Sequence, residues 1–314
     1  MTKLSHVEAT APATSANLGA GFDVLGVALD VLFDKVSVDV TTKTDIKIYV
    51  KGKGAQFIPT DPDRNTAGIV AKALLDYSSE KCGLTINIEK GIRPGSGLGS
   101  SAASAAAAAL AVNEVLQLGF SKNELIKFAA LGEKASAGAP HADNVSAALL
   151  GFFTAIISHD PLEVIQLPAP NNAKFAIALP EIVLSTALAR SVLPEHIKRS
   201  DAIYNVAHVC AFVAGVATGD VALMGKGMKD QIAEPYRAKL IPGLADVKKN
   251  AVEAGAEGVT ISGAGPAIIA LIDSKKQVEN QVVKAMKEGF EKNGIKCEVI
   301  LASPGSGAKI VRSE

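Results

Sequence analysis

Apolar and polar positions alternate most clearly at VSVDV (36–40), and the pattern predicts strands over residues 5–11 and 31–40. IKIYV (46–50) and LTINIEK (84–90) predict two further strands. Between the first pair, PATSANLGAGFDVLGVALD (12–30) is rich in small residues and is expected as a loop. DRNTAGIVAKALLDY (63–77) predicts a helix capped at its start, and alanine content predicts another over 100–117. Ser121 with Glu124 forms a capping box ahead of a helix over 122–137. Strands followed by helices, with antiparallel alternation, predict an α+β fold rather than a doubly wound parallel sheet.

The pattern breaks at HDPLEVIQLPAPNN (159–172), where three prolines and two asparagines cluster, and this marks the expected domain boundary. Beyond it, FAIALP (175–180), GVTISG (258–263) and AIIALI (267–272) read as buried strands, with helices over 199–218, 220–233 and 243–255. A helix over 275–293 and the strand KCEVILA (296–302) are expected to finish the chain. The resulting division is 1–168 and 169–314, each part α+β.

Composition narrows the function. The 314 residues are long enough for two domains, and 48% hydrophobic with 20% charged is ordinary for a globular protein. Lysine plus arginine equals aspartate plus glutamate, 32 of each, so no net field draws nucleic acid or an acidic membrane. Aromatic residues are only 4% and tryptophan is missing, which leaves few stacking platforms for single strands. Cys82, Cys210 and Cys297 are scattered and odd in number, which suits neither a disulfide framework nor a zinc site and points to a reducing cytoplasm. Thr2, Lys3 and Leu4 follow Met1 without a long apolar core, so no secretory signal is expected. The most apolar stretch, Ala102 to Val112, is too short to span a bilayer. A cytoplasmic enzyme acting on a small molecule is the expectation.

The chemistry concentrates at RPGSGLGSSAAS (93–104). Glycines without Cβ let backbone N–H groups close on an anion, and a helix start adds its dipole and its unpaired amides. The stretch lacks the Gly-Lys-Ser/Thr of a Walker loop, and Gly95, Gly97 and Gly99 have the wrong spacing for a dinucleotide fingerprint. Taken alone it is either a phosphate cradle or a turn before a tightly packed alanine helix, with serines as caps.

Two further stretches, PATSANLGAGFD (12–23) and TISGAGPAIIAL (260–271), flank it in the order and at the positions that mark a known family. With PGSGLGSSAA between them, the chain resembles the GHMP kinase superfamily along essentially its whole length, most closely the branch that phosphorylates homoserine. The resemblance implies a two-domain GHMP kinase fold: an N-terminal ATP-binding domain like domain 2 of ribosomal protein S5, and a ferredoxin-like C-terminal domain. It implies ATP and Mg2+ as cofactors, L-homoserine as the acceptor on the route to threonine, and a homodimer. Two departures, Ala20 where many relatives have proline and Arg93 before Pro94, change loop stiffness more than chemistry.

The same resemblance implies roles. ATP phosphates lie over Pro94, Gly95, Ser96, Gly97, Leu98, Gly99, Ser100 and Ser101, and Mg2+ is held by Ser101 and Glu133. Asn65 and Lys90 serve adenine. Asn17 and Asp23 meet the amino group, Arg190 and Arg237 the carboxylate, while Thr186 and Gly263 line the pocket and His141 closes it. Asn144 or Asp143 stands at the reacting hydroxyl, with Arg190 beside it, and Asn144 is preferred as the orienting group. Each residue also has an ordinary reading: Asn65 and Asp143 as helix caps, Lys90 and the arginines as surface charges, Glu133 as a solvated carboxylate beside Lys134. Asn17 and Asp23 would be turn residues, His141 a satisfied polar group and ISGAGP a tight hairpin. Their joint presence favours an amino-acid acceptor, because a sugar or an isoprenoid alcohol has no ammonium for Asp23. A catalytically inactive nucleotide-binding relative is the other alternative, which an intact Ser101, Glu133 and glycine loop oppose.

Overall fold

The computed structural model describes residues 4–78, 80–137 and 141–314. The side chains of 134–137 also lie outside the described set, and with them the Lys134 alternative for Glu133; the Met1–Lys3 reading lies outside it as well. The chain opens with a long hairpin of β1 (His6–Asn17) and β2 (Gly21–Thr41). The expected loop over 12–30 is therefore mostly strand. Ala11, Ala13, Thr14, Ser15 and Ala16 are buried on both faces of β1, so the alternation that signals a strand is lost. The pairing slips between Pro12–Phe33 and Thr14–Ala28, which expels residues 29–32 of β2 from the ladder.

β3 (Ile46–Gly52), α1 (Thr66–Ser78) and β4 (Gly83–Lys90) form a parallel crossover beside β2. Asn65 caps α1, accepting from the Ala67 and Gly68 amides at 2.9 and 3.3 Å, so the helix expected from residue 63 starts three residues later. α2 (Ser100–Val115) is buried at every position except Ser101 and Glu114. Alanine makes this possible: a helix without a polar face sits inside the layer, and small side chains bring β1 and β2 close to its axis. α3 (Lys122–Ala137) starts with the expected capping box, in which the Ser121 amide donates to Glu124 at 2.8 Å. α4 (Asp143–Leu150), β5 (Phe153–His159) and β6 (Leu162–Leu167) follow, with β6 inside the stretch read as a boundary.

The second part builds an antiparallel sheet in the order β10, β7, β9, β8, from β7 (Ala173–Pro180), β8 (Gly258–Ile261), β9 (Ile268–Asp273) and β10 (Cys297–Ala302). α5 (Thr186–Ser191), α6 (Arg199–Thr218), α7 (Val221–Gly227), α8 (Glu234–Arg237), α9 (Leu244–Glu253) and α10 (Glu279–Glu291) complete it. The helix expected over 220–233 stops at Gly227, and Asp230 takes the amides of Ile232, Ala233 and Glu234 ahead of α8. β10 does not finish the chain: β11 (Lys309–Ser313) returns to pair with β1 at the edge of the first sheet. Of two apolar cores among the described residues, one runs through both sheets, with the Phe153 ring 6.3 Å from Phe175 and 5.7 Å from Phe212.

The dense packing of α2 gives a direct test. Ala106 is wholly buried. Ala106→Leu is expected to destabilise the protein by about 1–3 kcal/mol through overpacking, read as a lower denaturant midpoint at unchanged slope.

Candidate active site

The three motifs converge on one cavity of about 500 Å³, within the range of roughly 300–1,000 Å³ usual for small-molecule sites. The glycine loop forms its floor. Gly99 is the N-cap of α2, with φ of 61° and no side-chain cap, so the first-turn amides open toward the cavity. A Cβ there would stand 1.9 Å from Thr14 Oγ1 and 2.9 Å from Asn144 Oδ1. At Gly97, with φ of 83°, a Cβ would stand 2.8 and 2.9 Å from the Ser262 and Gly265 carbonyl oxygens.

Backbone and hydroxyl contacts sew the motifs together. The Thr14 amide donates to the Leu98 carbonyl at 3.1 Å, and the Ala267 amide to that of Ser96 at 3.2 Å. Ser262 Oγ donates to the Gly97 carbonyl at 2.7 Å and shares a 2.8 Å hydrogen bond with Ser15 Oγ. The Gly263 amide donates to the Ala16 carbonyl at 3.1 Å. Beneath the loop, Lys90 Nζ pairs with Asp34 and donates to the Ser100 carbonyl at 2.7 Å and to Ser104 Oγ at 2.8 Å. Asp34 also accepts the Gly91 and Ile92 amides, each at 3.1 Å. Burial lowers the Lys90 pKa, while Asp34 raises it again.

Pro94, Gly95, Ser96, Gly97, Gly99, Ser100 and Ser101 all line the cavity. Leu98 does not; its side chain is buried away from it. Ser100 Oγ is turned to the Ile92 carbonyl at 2.8 Å, whereas Ser101 Oγ donates to Glu133 Oε2 at 3.1 Å. Burial pushes the Glu133 carboxyl up to about 7, with the Ser101 bond opposing and Asp143 adding to the rise. At one end of the cavity Asn65 is buried, donating to the Pro59 carbonyl at 2.7 Å, beside Phe57 and Ile58. The side-chain ends of Asn65 and Lys90 are thus engaged within the chain, although both residues line the cavity.

The other end gathers the remaining candidates. Asn17 Oδ1 accepts the Asp23 amide at 3.0 Å, and its Nδ2 donates to the Gly263 carbonyl at 2.8 Å. Arg190, on α5 with Thr186, donates through Nη2 to both Asp23 oxygens at 2.9 and 3.0 Å and lies 3.4 Å from His141 Nδ1. Arg237, on α8, is buried and donates to the Ala189 and Gly263 carbonyls at 3.0 and 3.1 Å. The Phe22 ring lies beneath both guanidiniums, at 5.6 Å from Arg190 and 5.3 Å from Arg237. Burial, then Arg190, holds the His141 pKa below its usual value, so the imidazole is neutral at pH 7. Asp143 is the first residue of α4 rather than its cap, since Ala142 holds that position. Burial raises its carboxyl to about 6 while it accepts the Asn144 amide at 2.7 Å.

Every expected residue except Leu98 therefore lines one cavity. Thr14 and Ser262 were not anticipated: Thr14 Oγ1 donates to Asn144 Oδ1 at 2.8 Å, and Ser262 holds the loop. Both lie inside quoted motifs, where their neighbours drew the attention. Phe57 and Ile58 carry no such signal. Three lining atoms, Ser96 Oγ, His141 Nε2 and Arg190 Nε, are buried and bond nothing among the described residues, which marks the cavity as built for a polar guest.

Comparison with known proteins agrees with this geometry. Residues 65–152 match the GHMP kinases N terminal domain and residues 212–292 the GHMP kinases C terminal domain. A homoserine kinase of Methanocella arvoryzae is 41% identical over 311 residues, covering 99% of each chain. One from Methanococcus maripaludis strain C5 is 42% identical over 312 residues, covering 99% of this chain and all of the relative. A crystal structure of homoserine kinase from Cytophaga hutchinsonii superposes with a TM-score of 0.92 at 38% identity and 99% coverage of both chains. The motifs, the fold and full-length likeness thus agree, and the chain belongs to the homoserine kinase family of the GHMP kinases.

Proposed function

We propose that the protein transfers the γ-phosphoryl group of ATP to the side-chain hydroxyl of L-homoserine, releasing ADP and O-phospho-L-homoserine. The observation that carries this reading is the pairing, within one cavity, of an open helix N-terminus with an acceptor end holding Asp23, Arg190 and Arg237. A small zwitterion needs both charge types, whereas a sugar or an isoprenoid alcohol needs no carboxylate for an ammonium.

In this reading the amides of the loop and of the first turn of α2 bind the ATP phosphates, and Phe57, Ile58 and Asn65 border adenine. Lys90 acts from below, fixing the loop through Asp34, Ser100 and Ser104. The homoserine ammonium takes the Asp23 carboxylate, and the freed Arg190 guanidinium turns to the homoserine carboxylate, with Arg237 beside it. Arg190 Nε has no partner among the described residues and is available for that exchange. Neutral His141 and Thr186 close the pocket. Asn144, fixed by Thr14, orients the hydroxyl, while Asp143 holds Asn144 in place. Phosphoryl transfer needs little covalent help, so positioning carries most of the rate.

The Ser101–Glu133 pair fits Mg2+. Among the described residues no three His, Cys, Asp or Glu side chains converge as a metal site. Mg2+ takes hard oxygens, typically one or two carboxylates with substrate phosphates and water, and the buried Glu133 beside Ser101 supplies such a set. When bound, the ion neutralises charge on the phosphates. We also propose a homodimer: Ile203 and Val206 project from α6, 62% and 64% exposed, and a second copy would cover them.

Coupled ADP release is expected with L-homoserine and not with mevalonate, galactose or L-serine. Turnover with a different acceptor would discard the acceptor pocket, and tight ATP binding without turnover would favour an inactive relative. Asp23→Asn and Arg190→Ala should each lower kcat/KM for homoserine by about a hundredfold or more, leaving the KM for ATP nearly unchanged. Asp143→Asn should keep turnover while Asn144→Leu loses it; the reverse result moves the orienting role to Asp143. Glu133 must lose its proton to ligate the ion, so Mg2+ affinity should rise as pH climbs through about 7, and Glu133→Gln should abolish that rise. Because the folded carboxyl keeps its proton to higher pH than the unfolded one, ligand-free stability should fall between pH 4.5 and about 7, less so in Glu133→Gln. Denaturant titrations across that range measure it. Val206→Glu should shift the sedimenting species to the monomer.

A further inference from the structure

A second cavity, of about 440 Å³, shares Gly95 and Ser96 with the active site, so these two residues form a wall common to both. Its floor is apolar, made by Leu98, Leu179, Ile182 and Cys297. Lys53, Arg93 and Lys296 stand at its rim, exposed and without an ion-pair partner among the described residues. Glu181 and Glu298 share that rim, leaving one cation in excess. None of these charges takes part in the phosphate or acceptor chemistry above. The buried Ser96 hydroxyl, which bonds nothing among the described residues, lies in the common wall.

We propose that this cavity is an effector site for a small amphipathic anion, a phosphate or carboxylate group on a short apolar body, and that its occupancy weakens ATP binding. The floor suits the apolar body, and the unengaged cations suit the anionic head. The sign of the effect follows from charge. Lys53, Arg93 and Lys296 add positive potential behind the phosphate loop, and an anion among them cancels it. The same anion sets a like charge across a thin wall from the ATP phosphates. The loop backbone has little freedom to adapt, because its carbonyls at Ser96, Gly97 and Leu98 are all bonded.

Phenyl phosphate is a suitable probe, with ATP binding measured by equilibrium dialysis in Mg2+ on the full chain. This readout does not depend on the identity of the phosphate acceptor. The probe is expected to raise the Kd for ATP about fivefold to a plateau. In Lys53→Ala/Lys296→Ala the Kd should stay constant, whereas Lys53→Arg/Lys296→Arg should keep the effect. A rise without plateau that persists in the alanine variant means competition in the active site itself and overturns the proposal. No change in the unaltered protein overturns it as well.

Discussion

Three consecutive carbonyls decide what this protein can bind. Those of Ser96, Gly97 and Leu98 accept, in turn, from the Ala267 amide, the Ser262 hydroxyl and the Thr14 amide. In a trans peptide the following N–H points opposite to its carbonyl, so tying the oxygens inward turns the next amides outward. A loop held this way presents donors to a phosphate without a lysine reaching over it. Lys90 is used from beneath. The buried Lys90–Asp34 pair would be costly if isolated, but Ser104, the Ser100 carbonyl and two backbone amides complete its hydrogen bonding.

The partners of those carbonyls come from the two ends of the chain. Thr14 belongs to the opening hairpin, while Ser262 and Ala267 flank the turn after β8. The same two segments also anchor the acceptor end: Asn17 and, from α8, Arg237 both donate to the Gly263 carbonyl, and Asn17 holds the Asp23 backbone. One hydrogen-bonded seam thus fixes the phosphate donor site relative to the acceptor site. For a reaction driven by positioning, that shared scaffold matters more than any single side chain. The dense alanine helix α2 completes it by setting the loop at the buried start of a helix that cannot shift.

Much of this was legible in the residue pattern. The strands at 46–50 and 84–90, the alanine helix and the Ser121–Glu124 capping box all follow from local preference, which tertiary packing had no reason to override. Only the inner stretch of the opening hairpin, 12–30, reads as a loop, and the reason is physical: with both faces covered, small residues replace alternation. The return of β11 to the first sheet leaves no local mark, because strand pairing across the whole chain is not written in any short window.

By itself the sequence determined the starts of α2, α3 and α6, the glycine positions that demand left-handed backbone, and the residue types gathered in three motifs. These are properties of one residue and its near neighbours. Only the tertiary structure decided what each side chain faces. It turned Lys90 under the loop, set Asn65 on the amides of α1, paired Arg190 with Asp23, and brought Thr14 to Asn144 across 130 residues. Such choices depend on desolvation and on partners distant in the chain, and a charge or an amide commits to one of them only when packing brings it there.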